Sequence, residues 1–126
     1  MNAGIIFDCD GTLVDSLGTA MASFNFALAK MDHPPQTPEM IKQYFGQSGD
    51  RILTGVLGDA EKGKQAFQHY IEHQIKSAKN TFLHKGVRAL LETIRENDIP
   101  MAIVTGRHSQ DLALLLEPHG LGDYFV

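Results

Sequence analysis

Two aspartates, Asp8 and Asp10, stand one residue apart in the stretch IIFDCDGTLVDS, directly after a short β-branched apolar run. Along an extended chain alternate side chains share a face, so the two carboxylates point one way and Cys9 the other. Like charges this close repel unless a cation joins them or a proton is shared. A hard divalent cation such as Mg2+ suits the pair, because it prefers carboxylate oxygens and keeps waters that a phosphate can replace. Gly11 permits a sharp turn, and the Thr12 hydroxyl is placed to hold Asp10. A second stretch of interest, IVTGR, puts Thr105, Gly106 and Arg107 after another apolar run.

The elements that must position these residues follow from the spacing of apolar side chains. Gly4 to Phe7 and Pro100 to Val104 are apolar on successive residues, the pattern of parallel strands covered on both faces. Ligands of open parallel sheets bind beyond the carboxyl ends of the strands. DCDGT and TGR both fall there. Leu17, Met21, Phe24, Leu28 and Met31 recur at helical spacing, with Ser16 as N-cap. The prolines of DHPPQTP impose a loop, after which Thr37 caps a helix that starts at Pro38. FGQSGDR interrupts that helix, Ser48 or Asp50 starts a short one, and LGD ends it. Ala60 to Ala78 predicts a long helix with a stripe of Ala66, Phe67, Tyr70, Ile71, Ile75 and Ala78. Two more helices carry Val87, Leu90, Leu91 and Ile94, then Leu112, Leu115 and Leu116, and DYFV approaches a third strand. Strand, helix, strand, helix implies an α/β fold with right-handed crossovers. The first crossover is too long for one helix, so most of it is a helical insert over the sheet.

Composition narrows the classes. A chain of 126 residues with 43% hydrophobic and 21% charged residues is ordinary for a globular domain. No apolar run is long enough for a membrane helix, and no basic segment followed by an apolar stretch marks a secretory signal. A net charge of −4 offers no basic footprint for nucleic acid. The single cysteine, Cys9, cannot form an internal disulfide, which favours a reducing, cytoplasmic setting. Cys9 reads as a small buried residue, and Asp15 as a carboxylate suited to a helix N-terminus. His69 and His73 are four apart on one helix but have no third ligand nearby, so a solvated face is expected.

DCDGTLVDS resembles the first motif of the haloacid-dehalogenase (HAD) superfamily, D-x-D-G-T followed by apolar residues, and IVTGR resembles its second motif. Within that superfamily the pattern is most similar to the phosphoglycolate-phosphatase and β-phosphoglucomutase group. HKGVRALLETIRENDIPMAIVTGR matches the helix–strand run before the second motif there, although His84-Lys85 departs from the usual apolar or Tyr-Pro pair. The resemblance implies a Rossmannoid parallel sheet core at residues 1–16 and 82–126, incomplete here, with an inserted α-helical cap at 17–81. It implies a Mg2+-dependent phosphatase of a small phosphorylated metabolite. Asp8 would be the nucleophile that forms an aspartyl-phosphate, and Asp10 the acid and base. Asp8 and the Asp10 carbonyl would be metal ligands, and Thr105 and Gly106 would hold the phosphate. A cap loop containing Gly46 would reach over the site, with Arg51 and Arg107 as candidate substrate contacts. Asp10, absent from dehalogenases, argues for phosphoryl transfer.

The family's further lysine and metal-binding acids are not found: no lysine follows Gly106, and Asp111, Glu117 and Asp123 do not stand at predicted strand ends. The expectation from this is a fragment whose phosphatase activity alone is low, its sheet completed by self-association or a partner chain. A sugar phosphomutase using the same aspartates, and a non-catalytic binding chain, stand as the alternative functions.

Overall fold

The computed structural model describes residues 3–126. Met1 and Asn2, the start of the expected 1–16 core segment, lie outside the described residues. Strand β1 (Ile5–Phe7) is followed by β2 (Val14–Asp15) and the helices α1 (Leu17–Lys30), α2 (Pro38–Lys42), α3 (Gly49–Leu57) and α4 (Ala60–Ser77). The chain then returns through β3 (Phe82–Leu83), α5 (Val87–Glu96), β4 (Met101–Ile103) and α6 (Ser109–Leu116).

β1 and β4 are parallel neighbours, with Ile5 opposite Met101 and Phe7 opposite Ile103. The α/β fold with a parallel sheet is therefore as expected. Both strands end at the same edge, which brings Asp8 and Thr105 side by side although 97 positions separate them in the chain. Past the short 3-10 turn Gly122–Tyr124 the backbone extends, and the Val126 amide donates to the Met101 carbonyl at 2.9 Å. The DYFV segment thus reaches the far side of β4. The strands are not covered on both faces: Ile6 is 70% and Val104 64% exposed among the described residues.

Two apolar clusters hold the molecule. One lies under the sheet and includes Cys9, Leu13, Leu91, Met101, Leu115 and Leu121. The other lies among α1 to α4 and includes Met21, Phe24, Leu28, Ile41, Leu53 and Tyr70. α4 packs tightly on α3 because Gly63 has no side chain: a Cβ there would lie 2.7 Å from the Thr54 Cα. The two chain passages joining the helices to the sheet are themselves paired. β2 and β3 form a small antiparallel ribbon, Val14 opposite Leu83 and Asp15 opposite Phe82. Apolar periodicity cannot reveal a two-residue strand, and the ribbon was not expected.

Local signals held well. Thr37 accepts from the Met40 amide with Pro38 in the first turn of α2, and the αL residue Gly58 closes α3. Several side chains differ from expectation. Ile75 is 59% exposed, while Gln74 is buried and donates to the Ser23 hydroxyl at 2.8 Å. α4 meets α1 slightly rotated from the purely apolar stripe, because Ser23 supplies a buried partner for an amide. His73 is not solvated: its Nδ1 is 2.7 Å from the Ser23 hydroxyl. Asp15 lies on β2 and not in the first turn of α1, which holds no acid.

Candidate active site

The loop after β1 is built around one carbonyl. Cys9 accepts from the amides of Thr12, Leu13 and Val14 at 3.1, 2.9 and 3.2 Å. Gly11 takes φ +75°, the left-handed region that suits glycine, and its amide donates to Val14 at 2.9 Å. The Cys9 side chain is fully buried in the sheet cluster, so the carboxylates on either side of it turn outward. Burial, reinforced by the negative charge of Asp10, pushes the Cys9 thiol up to about 12. It is a protonated packing residue and not a nucleophile.

Asp8 is exposed, and one carboxylate oxygen accepts from the Cys9 amide at 2.8 Å. Among the described residues its other oxygen has no protein donor, which leaves it facing the cavity. Asp10 is differently placed. Its carboxylate takes the Arg107 guanidinium through Nε at 2.8 Å and 3.0 Å and through Nη2 at 2.6 Å. It also accepts from Ser16 Oγ at 2.5 Å. Ser16 stands at the N-cap position of α1 but makes no cap bond, because its hydroxyl serves Asp10. Thr12, expected in that role, is exposed.

Arg107 is the centre of a polar group joining the sheet to the helices. Nη1 donates to Asp111 at 2.8 Å and to the Tyr70 hydroxyl at 3.3 Å, and that hydroxyl donates to the other Asp111 oxygen at 2.9 Å. Tyr70 and Asp111 are each 1% exposed. For Asp10, burial raises the carboxyl, but the Arg107 hydrogen bonds and charge with the Ser16 bond outweigh it, and the group sits below the ordinary carboxylate range. For Asp111 burial prevails and pushes the carboxyl up, with Arg107 and Tyr70 offsetting part of it. Burial opposes the Arg107 charge, yet Asp10, Tyr70 and Asp111 hold it protonated.

Thr105 follows β4, and its hydroxyl oxygen accepts from the Arg107 amide at 3.2 Å. Gly106 lies under the 46–50 loop: a Cβ there would stand 3.0 Å from the carbonyl oxygens of both Gly46 and Gln47. Beside it, His108 Nε2 meets Asp50 at 2.8 Å, and Ser48 donates to the same Asp50 oxygen at 2.6 Å. These contacts seat the 46–50 loop over the strand ends.

A cavity of about 390 Å³ results, with Asp8, Asp10, Gly46, Thr105, Gly106 and Arg107 all in its wall. Of the candidate catalytic, phosphate-binding and substrate-contact residues, Arg51 is the one placed elsewhere. It is exposed and lines a separate concavity with Asp50, Thr54 and Lys64, because the first turn of α3 directs it away from the strand ends. Arg107 does line the cavity, but its guanidinium is already shared between two carboxylates. Asp111 and Tyr70 also line it and were not anticipated as site residues. The four-residue spacing of Arg107, just before α6, and Asp111 in its first turn was the available signal. Tyr70 read only as part of an apolar stripe, though a buried tyrosine hydroxyl needs a partner.

Three carboxylates and one guanidinium leave the cavity wall formally negative, so a phosphate dianion needs a cation there. The donors present fit one side of a hard-cation site: the Asp8 carboxylate and the Asp10 carbonyl, to which no backbone amide donates among the described residues. No group of three or more acidic, histidine or cysteine side chains arranged for a metal occurs among the described residues.

A family model for haloacid dehalogenase-like hydrolases matches residues 5–126. A phosphoglycolate phosphatase of Photobacterium profundum is 28% identical over 134 residues, covering 97% of this chain and 58% of that protein. One of Aliivibrio fischeri is 32% identical, with 96% and 58% covered. Phosphoglycolate phosphatase 1 of Pseudomonas aeruginosa is 29% identical, with 96% and 47% covered. The chain thus spans about half the length of the curated relatives it matches. Among solved structures, a protein described as a predicted phosphatase from Clostridium acetobutylicum superposes with TM-score 0.83 at 22% identity, covering 99% of this chain and 59% of that one. At that identity the likeness concerns the fold.

Proposed function

We propose that this chain, which belongs to the haloacid dehalogenase-like hydrolases, carries the nucleophile and phosphate-holding half of a phosphatase acting on small phosphate monoesters. The observation that carries the reading is the convergence of Asp8 with Thr105 and Gly106 on one cavity. Asp8 attacks phosphorus with its free oxygen. The ester P–O bond breaks, and the leaving oxygen takes a proton from Asp10. Water then attacks the aspartyl-phosphate and gives a proton back to Asp10, releasing inorganic phosphate and free Asp8. The Thr105 hydroxyl and Gly106 amide hold the nonbridging oxygens where charge develops. Mg2+, held by Asp8 and the Asp10 carbonyl, would neutralise charge between the carboxylate and the phosphate.

Arg107 sets a condition on this chemistry. It keeps Asp10 ionised, the form a base needs, so the acid step requires Asp10 to take up a proton as the Arg107 contact opens. The helices of residues 17–81 act as the cap that excludes water. Turnover by this chain alone is expected to be low, since no lysine follows Gly106 in the sequence. Exposed Ile6 and Val104 support a second polypeptide segment or a second copy on the open sheet face. Light scattering on the purified chain checks association. A cytoplasmic setting accords with the single buried cysteine.

The test has two readouts. Phosphate added with Mg2+ should shift the amide resonances of Gly11, Thr105 and Gly106. Hydrolysis of p-nitrophenyl phosphate, however slow, should need Mg2+ and vanish in Asp8→Asn. Hydrolysis indifferent to Asp8→Asn removes the nucleophile assignment, and unshifted amides remove the phosphate site. Release of phosphate against isomerisation of a sugar phosphate separates a phosphatase from a mutase.

A further inference from the structure

We infer that His73, Ser23 and Gln74 form a proton-linked switch in the seam between α1 and α4: when the His73 ring takes up a proton, the hydrogen bonds of the group reverse and the Gln74 amide turns over. The group stands apart from the proposed phosphate chemistry, and none of its residues lines the cavity at the strand ends. All three come from α1 and α4, so both sides of the seam belong to the described residues.

Accounting for each hydrogen fixes the resting arrangement. Ser23 and Gln74 are fully buried. Gln74 Nε2 donates to Ser23 Oγ at 2.8 Å, so the Ser23 hydrogen points elsewhere. Among the described residues the acceptor within reach is His73 Nδ1, at 2.7 Å. The Ser77 hydroxyl, 3.2 Å from the same nitrogen, gives its hydrogen to the His73 carbonyl at 2.7 Å. Nδ1 is therefore bare, and neutral His73 carries its hydrogen on Nε2. One atom is left over, since Gln74 Oε1 is buried with no partner among the described residues.

A proton on Nδ1 makes that nitrogen a donor. Ser23 Oγ then accepts from it, and the Ser23 hydrogen needs a new acceptor. Gln74 supplies one. The two ends of its amide are nearly the same in shape, and a half-turn puts Oε1 where Nε2 stands, 2.8 Å from Ser23 Oγ. The turn sacrifices no other bond, because Oε1 has none to lose. Each state thus holds the same two bonds in opposite directions, and the charge on His73 decides between them. The surroundings leave that decision to the ring itself. It lies 5.0 Å from the Phe26 ring, and Lys30, the one charged residue of α1, stands over Phe26. On α4, His69 pairs with Glu72 at 3.6 Å and Lys76 is exposed, as is Lys79 on the turn that follows. The charged residues of α3 and α6 face other groups: Asp50 meets His108, Arg51 lines the outer concavity, and Asp111 holds Arg107 and Tyr70. No carboxylate pairs with His73 among the described residues.

The experiment is an NMR titration of the isotope-labelled full chain from about pH 8 to about pH 5, the span over which histidine ordinarily gains its proton. At the alkaline end the His73 ring nitrogens should show the Nε2–H tautomer. The side-chain amide resonances of Gln74 should then move together with the His73 ring resonances, at one shared midpoint. His73→Gln should leave the Gln74 amide without any titration. Ser23→Ala should leave His73 titrating and the Gln74 amide still, while Ser77→Ala should keep the two coupled. A Gln74 amide indifferent to the His73 titration overturns the inference, and so does a ring that stays neutral to the acid end. Coupling that survives in Ser23→Ala, or that is lost in Ser77→Ala, overturns it as well.

Discussion

Asp111→Ala tests whether the Arg107 group joins the helices to the sheet. Asp111 is 1% exposed and accepts from Arg107 at 2.8 Å and from Tyr70 at 2.9 Å. Removing one partner of a buried ion pair costs about 3–5 kcal/mol, because the remaining charge is stranded. Arg107 is not fully stranded here, since Asp10 still takes Nε and Nη2, so the ion-pair loss falls below that range, at about 2 kcal/mol. The Tyr70 hydroxyl loses its acceptor in a buried site, a further penalty of about 1 kcal/mol. The sum, about 3 kcal/mol, is a large fraction of the roughly 6–19 kcal/mol that typical per-residue stability implies for a chain of this size. Urea denaturation followed by circular dichroism measures it, and the thermal midpoint should fall by roughly 10–15 °C. Tyr70→Phe in a double-mutant cycle with Asp111→Ala should give a coupling of about 0.5–3 kcal/mol. A loss below about 1 kcal/mol, or strict additivity with Tyr70→Phe, would refute the reasoning. The group would then be a set of contacts that water replaces at little cost.

Other outcomes follow from the same geometry. Asp10 has a folded value below its ordinary one, so its stabilisation is fully present above the unfolded carboxylate value of about 3.9 and is lost as pH falls through the lower folded value. The urea midpoint should thus drop less steeply below about pH 4 in Asp10→Asn than in the unaltered chain; equal slopes would count against the Arg107 contact. Gly63→Ala forces a Cβ to within 2.7 Å of the Thr54 Cα and should cost about 2–3 kcal/mol by overpacking, read as a lower urea midpoint. Gly106→Ala presses on the Gly46 and Gln47 carbonyls at 3.0 Å. It should cost about 1 kcal/mol and weaken binding of inorganic phosphate, measured by calorimetry.

Much of this molecule was legible because the relevant physics is local. Thr37 and Pro38 start α2, Gly58 stops α3, and apolar spacing places α4, α5 and α6. Each depends on residues within about one helical turn. The placement of Asp8 and Thr105 followed from a general property of parallel sheets, that strand ends share an edge. Asp10 was legible as a position but not as a state. Its partner Arg107 lies 97 residues away, and the hydroxyl that reaches it belongs to Ser16, not Thr12.

Residue types and spacings were therefore enough for the family and for the order of the helices and the two parallel strands. Packing alone decided which charges face one another. Asp111 and Tyr70 come from α6 and from α4, and they meet at Arg107 only because the helices fold back over the sheet. The same packing sends Arg51 to another concavity and lines the cavity with Leu17, Phe24 and Phe45. Periodicity records which face of a helix is apolar. It carries no information on which distant face will oppose it, and that pairing sets the charge of Asp10 and the polarity of the pocket.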